Sequence, residues 1–280
     1  MRDIENDDVL PLSGKHTNFE HSTRPERVQW DDDVPDLGAS SYPEAEHGPE
    51  PVPDWVITSG FARDTELGLL KTGKEAEVHL VERRWDDNLN LLAAKRYRRH
   101  DRGGFKRDAS YREGRRVRDS REMRAMAKGT AVGLSFRAGY WAQNEMTMLA
   151  RLWEAGASVP YPVQISGTEL MLEYLGDETA GAPRLVDARL DRDGIEEMFH
   201  QAVEALRIMT MARIVHADLS PYNLLVWDER LWVIDFPQAV DIAVNPNGYE
   251  FLHRDVTNIV TWFQRKGIDA DPDELFATLL

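Results

Sequence analysis

The chain contains no cysteine, which excludes disulfides, cysteine-ligated zinc, iron–sulfur clusters and thiol catalysis, and nothing points to an oxidising compartment. No apolar run approaches the roughly 18 residues of a membrane span. The amino terminus, Met1-Arg2-Asp3-Ile4-Glu5-Asn6-Asp7-Asp8, lacks the basic-then-apolar order of a secretory signal. The expected location is therefore cytoplasmic, with no membrane partner. Positive charge is also scarce: 34 Lys and Arg face 49 Asp and Glu, a formal charge of −15. Spread evenly, that balance would argue against nucleic-acid binding. It is uneven. Residues 1–54 hold about 14 acidic against about 4 basic side chains, whereas residues 96–137 hold about 14 basic against about 5 acidic.

What is present is enough for a sizeable core: 280 residues, 42% of them hydrophobic, which fits one or two domains plus tails. Residues 1–54 mix Asp31-Asp32-Asp33 with five prolines between Pro35 and Pro53 and few aliphatics. Such a segment buries too little apolar surface to offset its ordering entropy and reads as a disordered acidic tail. Structure is expected from about Trp55. Three β-type runs, 66–70, 76–81 and 91–95, are separated by turn-prone stretches and predict an antiparallel meander. The basic insert, about 96–137, shows no sustained period. A helix is expected from about Tyr140 to Ala155, where Trp141, Met148, Leu149 and Leu152 share a face with Glu145. Strands near 163–166 and 170–174 complete a sheet of about five.

Ile195, Met198, Phe199, Ala202, Val203, Leu206 and Met209 recur at three and four residues and predict an amphipathic helix from about Gly194 to Arg213. Short runs at 214–215, 224–226 and 231–234 follow, and 251–266 reads as another helix. Strands first and helices later indicate an α+β chain: a sheet-based N-lobe over 55–175, basic insert included, and a helical C-lobe over 176–280.

The residues that carry chemistry lie in the second half. Asp218 and Asn223 stand five apart in the loop His216-Ala217-Asp218-Leu219-Ser220-Pro221-Tyr222-Asn223, and Asp235 ends the apolar run Leu231–Ile234. Phosphoryl transfer asks for oxygen ligands to Mg²⁺, a cation on the phosphates and a group beside the attacking oxygen. Lys95 ends an apolar strand and Glu145 sits on an apolar helix face, each awkward alone. As an ion pair each explains the other, and such a pair aims a lysine at phosphates.

The series Thr72-Gly73-Lys74-Glu75-Ala76, Lys95, Glu145, Glu173-Tyr174-Leu175-Gly176, Ala182-Pro183-Arg184-Leu185, His216 to Asn223, Ile234-Asp235-x-x-Gln238 and Glu250-Phe251-Leu252-x-Arg254-Asp255 resembles the RIO family of atypical serine/threonine protein kinases from about Leu67 to Gly267. The resemblance implies a two-lobed, protein-kinase-like fold and an ATP- and Mg²⁺-dependent phosphotransferase or ATPase, with Mn²⁺ as an alternative metal. It implies Thr72, Gly73, Lys74 and Glu75 over the nucleotide phosphates, and Lys95 on the α/β-phosphates, paired with Glu145. It gives adenine the backbone of Glu173 and Leu175, with Met171 behind it. Asp218 would be the catalytic aspartate, Asn223 and Asp235 the metal ligands, and Asp235 itself an acceptor of phosphate.

Two departures stand out. The family usually has Ser before Thr-Gly-Lys-Glu-Ala, and here it is Lys71, which exchanges a hydroxyl donor for a cation. Asp235 is followed by Phe236-Pro237-Gln238, which indicates that the activation segment of ordinary protein kinases is absent. The protein substrate is open, and two other functions compete: a nucleotide-gated binding module for RNA or ribosome-like partners, and a small-molecule kinase of the aminoglycoside or choline type. The basic insert reads as a contact to RNA or a ribosomal precursor through phosphates, as a plain solvated loop, or as a dock for the acidic tail. His216 reads as a packed structural residue, Gln238 as a loop anchor, and Tyr222 and Trp141 as packing. Arg254 and Asp255 read either as buttresses of the catalytic loop or as a surface ion pair.

Overall fold

In the computed structural model, which describes residues 36–98 and 131–280, a seven-stranded antiparallel sheet forms the first lobe. Its strands are β1 (Asp36–Ala39), β2 (Glu46–His47), β3 (Arg63–Thr72), β4 (Ala76–Trp85), β5 (Asn88–Tyr97), β6 (Pro162–Ser166) and β7 (Glu169–Glu173), in the order β1-β3-β4-β5-β7-β6-β2. Period-two alternation gives the sheet two working faces. One packs Leu170 and Tyr97 against helix α1 (Ala131–Glu154) through Ala142, Met146 and Leu149. The other buries Val81, Leu92, Ala94 and Met171 beneath Tyr42, Val56 and Tyr161.

That second face corrects the expected tail. Residues 36–54 are ordered, for a reason local composition does not register. The outer strands β3 and β6 present unpaired edges, and β1 and β2 pair with them through Asp36–Thr65 and Glu46–Ile165. Tyr42, 6% exposed, then anchors the segment in the sheet's outer core, and the Tyr161 hydroxyl donates to the Pro49 carbonyl at 2.9 Å. A buried, two-point ion pair from Arg83 to Asp64, at 2.8 Å for each contact, lies in the same layer. Residues 1–35 of the expected tail lie outside the described residues, as do residues 99–130 of the basic insert.

The insert is also shorter at both ends than its composition indicates. Arg96 and Tyr97 complete β5, and residues 131–137 already belong to α1. Arg96 bridges Glu66 and Glu169 at 2.5 Å each, and Arg98 pairs with Glu77, so these two side chains brace the sheet.

The second lobe is built on α2 (Arg192–Met211), α3 (Gly248–Gln264) and α4 (Pro272–Thr278). Asp191 caps α2 by accepting from the Gly194 N–H at 2.8 Å, which satisfies one of the donors a helix start leaves unpaired. Met198, Leu206, Val256, Ile259 and Phe263, each 2% exposed or less, form the helical core. Against it lie two small ribbons, β9 (Leu224–Trp227) with β10 (Arg230–Val233), and β8 (Ile214–Val215) with β11 (Val240–Asp241). The chemistry-bearing loops run between these strands. Asp235 is separated from α3 only by residues 236–247, which include β11. No helix among the described residues is long and apolar enough to cross a membrane.

Candidate active site

Lys95, Glu145 and Asp235 meet where the lobes face each other. Lys95 comes from the end of β5, Glu145 from the middle of α1 and Asp235 from the turn after β10. The Lys95 ammonium donates to Glu145 Oε1 at 2.7 Å and to Asp235 Oδ1 at 2.6 Å. Glu145 is fully buried, and three donors offset its desolvation: Lys95, the Phe236 N–H at 2.9 Å and the Tyr97 hydroxyl. Burial pushes the Lys95 ammonium toward its neutral form, but Asp235 and Glu145 outweigh it and hold the pKa above the ordinary value. For Asp235, burial works against ionisation, and Lys95 overcomes it to hold the carboxyl down at about 2. Both groups are charged at neutral pH.

Asp235 adopts a left-handed backbone, φ 73°, which a non-glycine residue holds only where its surroundings impose it. The surroundings are visible. The Ile234 N–H donates to the Asn223 carbonyl at 3.0 Å, the Phe236 N–H is taken by Glu145, and Phe236 is completely buried against His216, ring centroids 4.7 Å apart. Asn144 of α1 reaches the Pro237 and Ala239 carbonyls at 3.2 and 3.3 Å. Helix α1 thus holds both sides of the turn.

The loop of Asp218 is fixed from below. Asp255 of α3, 1% exposed, accepts from the Ala217 N–H at 2.7 Å and the Leu219 N–H at 3.0 Å. Arg254 donates to the Ala217 carbonyl and Asn258 to the Leu219 carbonyl at 3.0 Å. Of the two readings of Arg254 and Asp255, the buttress is the one observed. Ala217 has a left-handed φ of 67°, and the exposed Asp218 side chain follows it. His216 is packed as expected: Nε2 donates to the Ile234 carbonyl at 3.0 Å and Nδ1 accepts from the Asp218 N–H at 3.3 Å, a pattern that suits the Nε2–H tautomer. Asn223 donates from Nδ2 to the Asp218 carbonyl at 3.0 Å. Its amide oxygen and the Asp235 carboxylate are hard oxygen donors of the kind Mg²⁺ takes when it shares its shell with phosphates. Among the described residues no cluster of three or more His, Asp or Glu side chains could hold a metal by itself.

Thr72, Gly73, Lys74 and Glu75 form the turn from β3 to β4. The Gly73 N–H donates to the Ala76 carbonyl at 2.8 Å, and a Cβ on Gly73 would sit 3.0 Å from that oxygen, so the tight turn favours glycine. Glu75 Oε1 accepts from Gln238 Nε2 at 3.2 Å, which joins this turn to the Asp235 segment and gives the expected loop anchor a partner in the other lobe.

Met171 is corrected. Cross-strand pairing sets Lys95 opposite Leu170 and Ala94 opposite Met171, so Met171 points away from the Lys95 face and into the outer core, where Arg83 Nη2 approaches its sulfur at 3.4 Å. Leu172, one residue on, shares the face of Leu170 and Lys95 and packs on the inner core. Glu173 and Leu175 lie at the crossing to the second lobe. There Glu173 Oε2 accepts from the Tyr161 N–H at 3.0 Å, and the Leu175 carbonyl accepts from the Ala182 N–H at 2.8 Å. Sequence reasoning did not single out Tyr97 as a partner of Glu145, although its place two residues after Lys95 puts it on the same strand face.

A family model described as the RIO domain matches residues 83–275. The chain belongs to the RIO family. The RIO-type serine/threonine-protein kinase Rio1 of Thermoplasma acidophilum is 38% identical over 135 residues, 48% of this chain and 69% of that protein. Rio1 of Haloferax volcanii is 35% identical over 209 residues, 75% of this chain and 67% of that one. The serine/threonine-protein kinase RIO1 of Caenorhabditis elegans is 33% identical over 208 residues, but the match covers only 37% of it. Two solved structures of the Rio2 kinase from Chaetomium thermophilum share the fold at 20% identity. One, an ADP/Mg²⁺–phosphoaspartate complex, gives a TM-score of 0.50, and the other gives 0.52. Each likeness covers 74% of this chain, and 59% and 60% of those chains respectively. The RIO match begins inside β4, so Thr72 to Glu75 fall before it.

Proposed function

We propose that this RIO-family chain is an ATP- and Mg²⁺-dependent phosphotransferase that phosphorylates protein serine or threonine, itself, or both. The observation that carries the reading is the Lys95 ammonium held between Glu145 at 2.7 Å and Asp235 at 2.6 Å. That arrangement aims a charged lysine along the cleft and keeps an ionised carboxylate beside it. Lys95 binds the α/β-phosphates, and Thr72 to Glu75 close over them. Glu173 donates its N–H to the Tyr161 carbonyl and Leu175 receives the Ala182 N–H, so the Glu173 carbonyl and the Leu175 N–H are the adenine contacts in this reading, with Leu172 as the wall behind. Asn223 and Asp235 hold Mg²⁺, which when bound screens the phosphate charge and orients the terminal phosphoryl group. Asp218 accepts the proton of the attacking hydroxyl.

The phosphoaspartate of the Rio2 complex supports an aspartate of this chain as a second acceptor. Asp235 is the proposed one, because it is ionised and stands beside Lys95. The short connection from Asp235 to α3 supports a chain without a peptide-holding activation segment, and with it slow turnover on a partner bound elsewhere. Family membership favours protein over small-molecule substrates.

Single-turnover hydrolysis of Mg·ATP, combined with trapping and mass-spectrometric mapping of acid-labile aspartyl phosphate, tests the reading. Wild-type protein should release or accept phosphate, and Asp218→Asn should bind Mg·ATP while losing about two or more orders of magnitude in rate. Wild-type protein that binds ATP without any turnover would leave the nucleotide-gated binding module in its place.

A further inference from the structure

We infer that Lys71 is a second polyphosphate-binding cation, set two strands from Lys95 on the same face of the sheet; the inference rests on the ATP reading above. Its placement follows from register. Lys71 pairs with Val78 across β3 and β4, Val78 with Lys95 across β4 and β5, and Lys95 with Leu170. Residues paired across an antiparallel sheet point to the same face, so Lys71 and Lys95 project from one face, two strands apart. A bulge makes this so. Leu69 pairs with His79, and without the register shift between Leu69 and Lys71 the lysine would face Glu77 and project from the outer surface.

The surroundings of the two lysines differ. Lys95 is already neutralised by two carboxylates. Lys71 is half-buried at the mouth of the Thr72–Glu75 turn, and no described residue lies within hydrogen-bond or ion-pair distance of its ammonium. Burial pushes its pKa below the ordinary lysine value, and the repulsion of Arg184 and Lys95 adds to that, while Asp235 and Glu145 attract it from further away and offset the shift only in part. A half-buried ammonium with two cationic neighbours and no carboxylate in contact is costly in the empty cleft. A polyphosphate laid between Lys71 and Lys95 removes that cost, because it supplies several anionic oxygens to both at once. A neutral side chain at this position would lack that electrostatic grip.

Binding of Mg·ATP, Mg·ADP and adenosine to the full chain, measured by calorimetry for wild type, Lys71→Met, Lys71→Ser and Lys71→Arg, tests the inference. Loss of one charge-assisted contact is expected to weaken both nucleotides about tenfold in Lys71→Met and Lys71→Ser. Adenosine should bind unchanged, and Lys71→Arg should keep most of the affinity. The wild-type nucleotide affinity should also fall more steeply with salt than that of Lys71→Met. Undiminished ATP binding in both neutral variants overturns the role of Lys71 alone, as does an equal loss for adenosine, which would mark a packing effect. Wild-type protein that binds no ATP overturns the kinase reading, and the role of Lys71 with it.

Discussion

The Tyr97 hydroxyl donates to the same buried carboxylate, Glu145, that receives Lys95. Glu145 has no solvent to satisfy it, so its second oxygen depends on Tyr97 as its first depends on Lys95 and the Phe236 N–H. Burial and the neighbouring Glu145 charge both raise the Tyr97 pKa, which keeps the phenol a donor throughout the physiological range. Tyr97→Phe leaves one oxygen of a buried carboxylate unpaired, at an expected cost of about 1–3 kcal/mol in stability. Turnover should fall with it, because Lys95 is then aimed by a looser carboxylate. A double-mutant cycle with Glu145→Gln measures the coupling by chemical denaturation. Additive effects would remove Tyr97 from the network.

Asp255 does for the Asp218 loop what Glu145 does for Lys95. Its two oxygens receive the Ala217 and Leu219 N–H groups that flank Asp218, in a site where burial raises its pKa against those same bonds. Asp255→Asn replaces one acceptor by an NH₂ group facing an N–H. The expected result is a loss of about 1–3 kcal/mol on urea unfolding, with a fall in single-turnover rate beyond any change in Mg·ATP affinity. Equal losses in rate and affinity would point to general loosening of the lobe instead.

Met171 and Leu172 are neighbours on β7 with opposite duties. Met171 is 3% exposed in the outer core, so Met171→Ala should cost about 2–5 kcal/mol of stability and leave the ATP affinity of the folded protein unchanged. Leu172→Phe enlarges the proposed adenine wall and should weaken ATP binding with a smaller effect on stability. Thermal unfolding and nucleotide titration of the two variants separate these outcomes. A loss of ATP affinity in folded Met171→Ala would contradict the face assignment.

Much of this was legible in the sequence because the decisive signals are local. β-type runs between turn-prone stretches marked β3, β4 and β5, the three-and-four spacing marked α2, and the mutual awkwardness of Lys95 and Glu145 pointed to a pair now seen at 2.7 Å. What escaped depends on partners distant in sequence. Residues 36–54 look too polar to fold until the open edges of β3 and β6 are there to pair them. The family resemblance placed Met171 behind adenine, but one residue of strand parity decides the face, and Leu172 has it. For Lys71, alternation alone misleads, since the bulge before it reverses its face. The tie from Gln238 to Glu75 spans 163 positions and has no local signature.

Glu173 offers a test by pH at the crossing between the lobes. Burial raises its carboxyl pKa, and the Tyr161 N–H, at 3.0 Å, opposes that shift only in part. A carboxyl whose folded pKa is raised binds its proton more tightly in the native state than in the unfolded chain. Its contribution to stability is therefore greatest below the ordinary carboxylate range and is lost as pH rises through the raised value. Glu173→Gln keeps an oxygen for the Tyr161 N–H and removes the charge. The variant should match wild type near pH 4 and unfold at a higher temperature than wild type at pH 7–8. Asp235 runs the other way: its pKa is held down at about 2, so the stability it lends is present above about pH 4 and lost as pH falls toward 2. Thermal melts of wild type, Glu173→Gln and Asp235→Asn from pH 2 to 8 check both. A Glu173→Gln difference that does not vary with pH would show that the carboxyl titrates alike in the folded and unfolded chain.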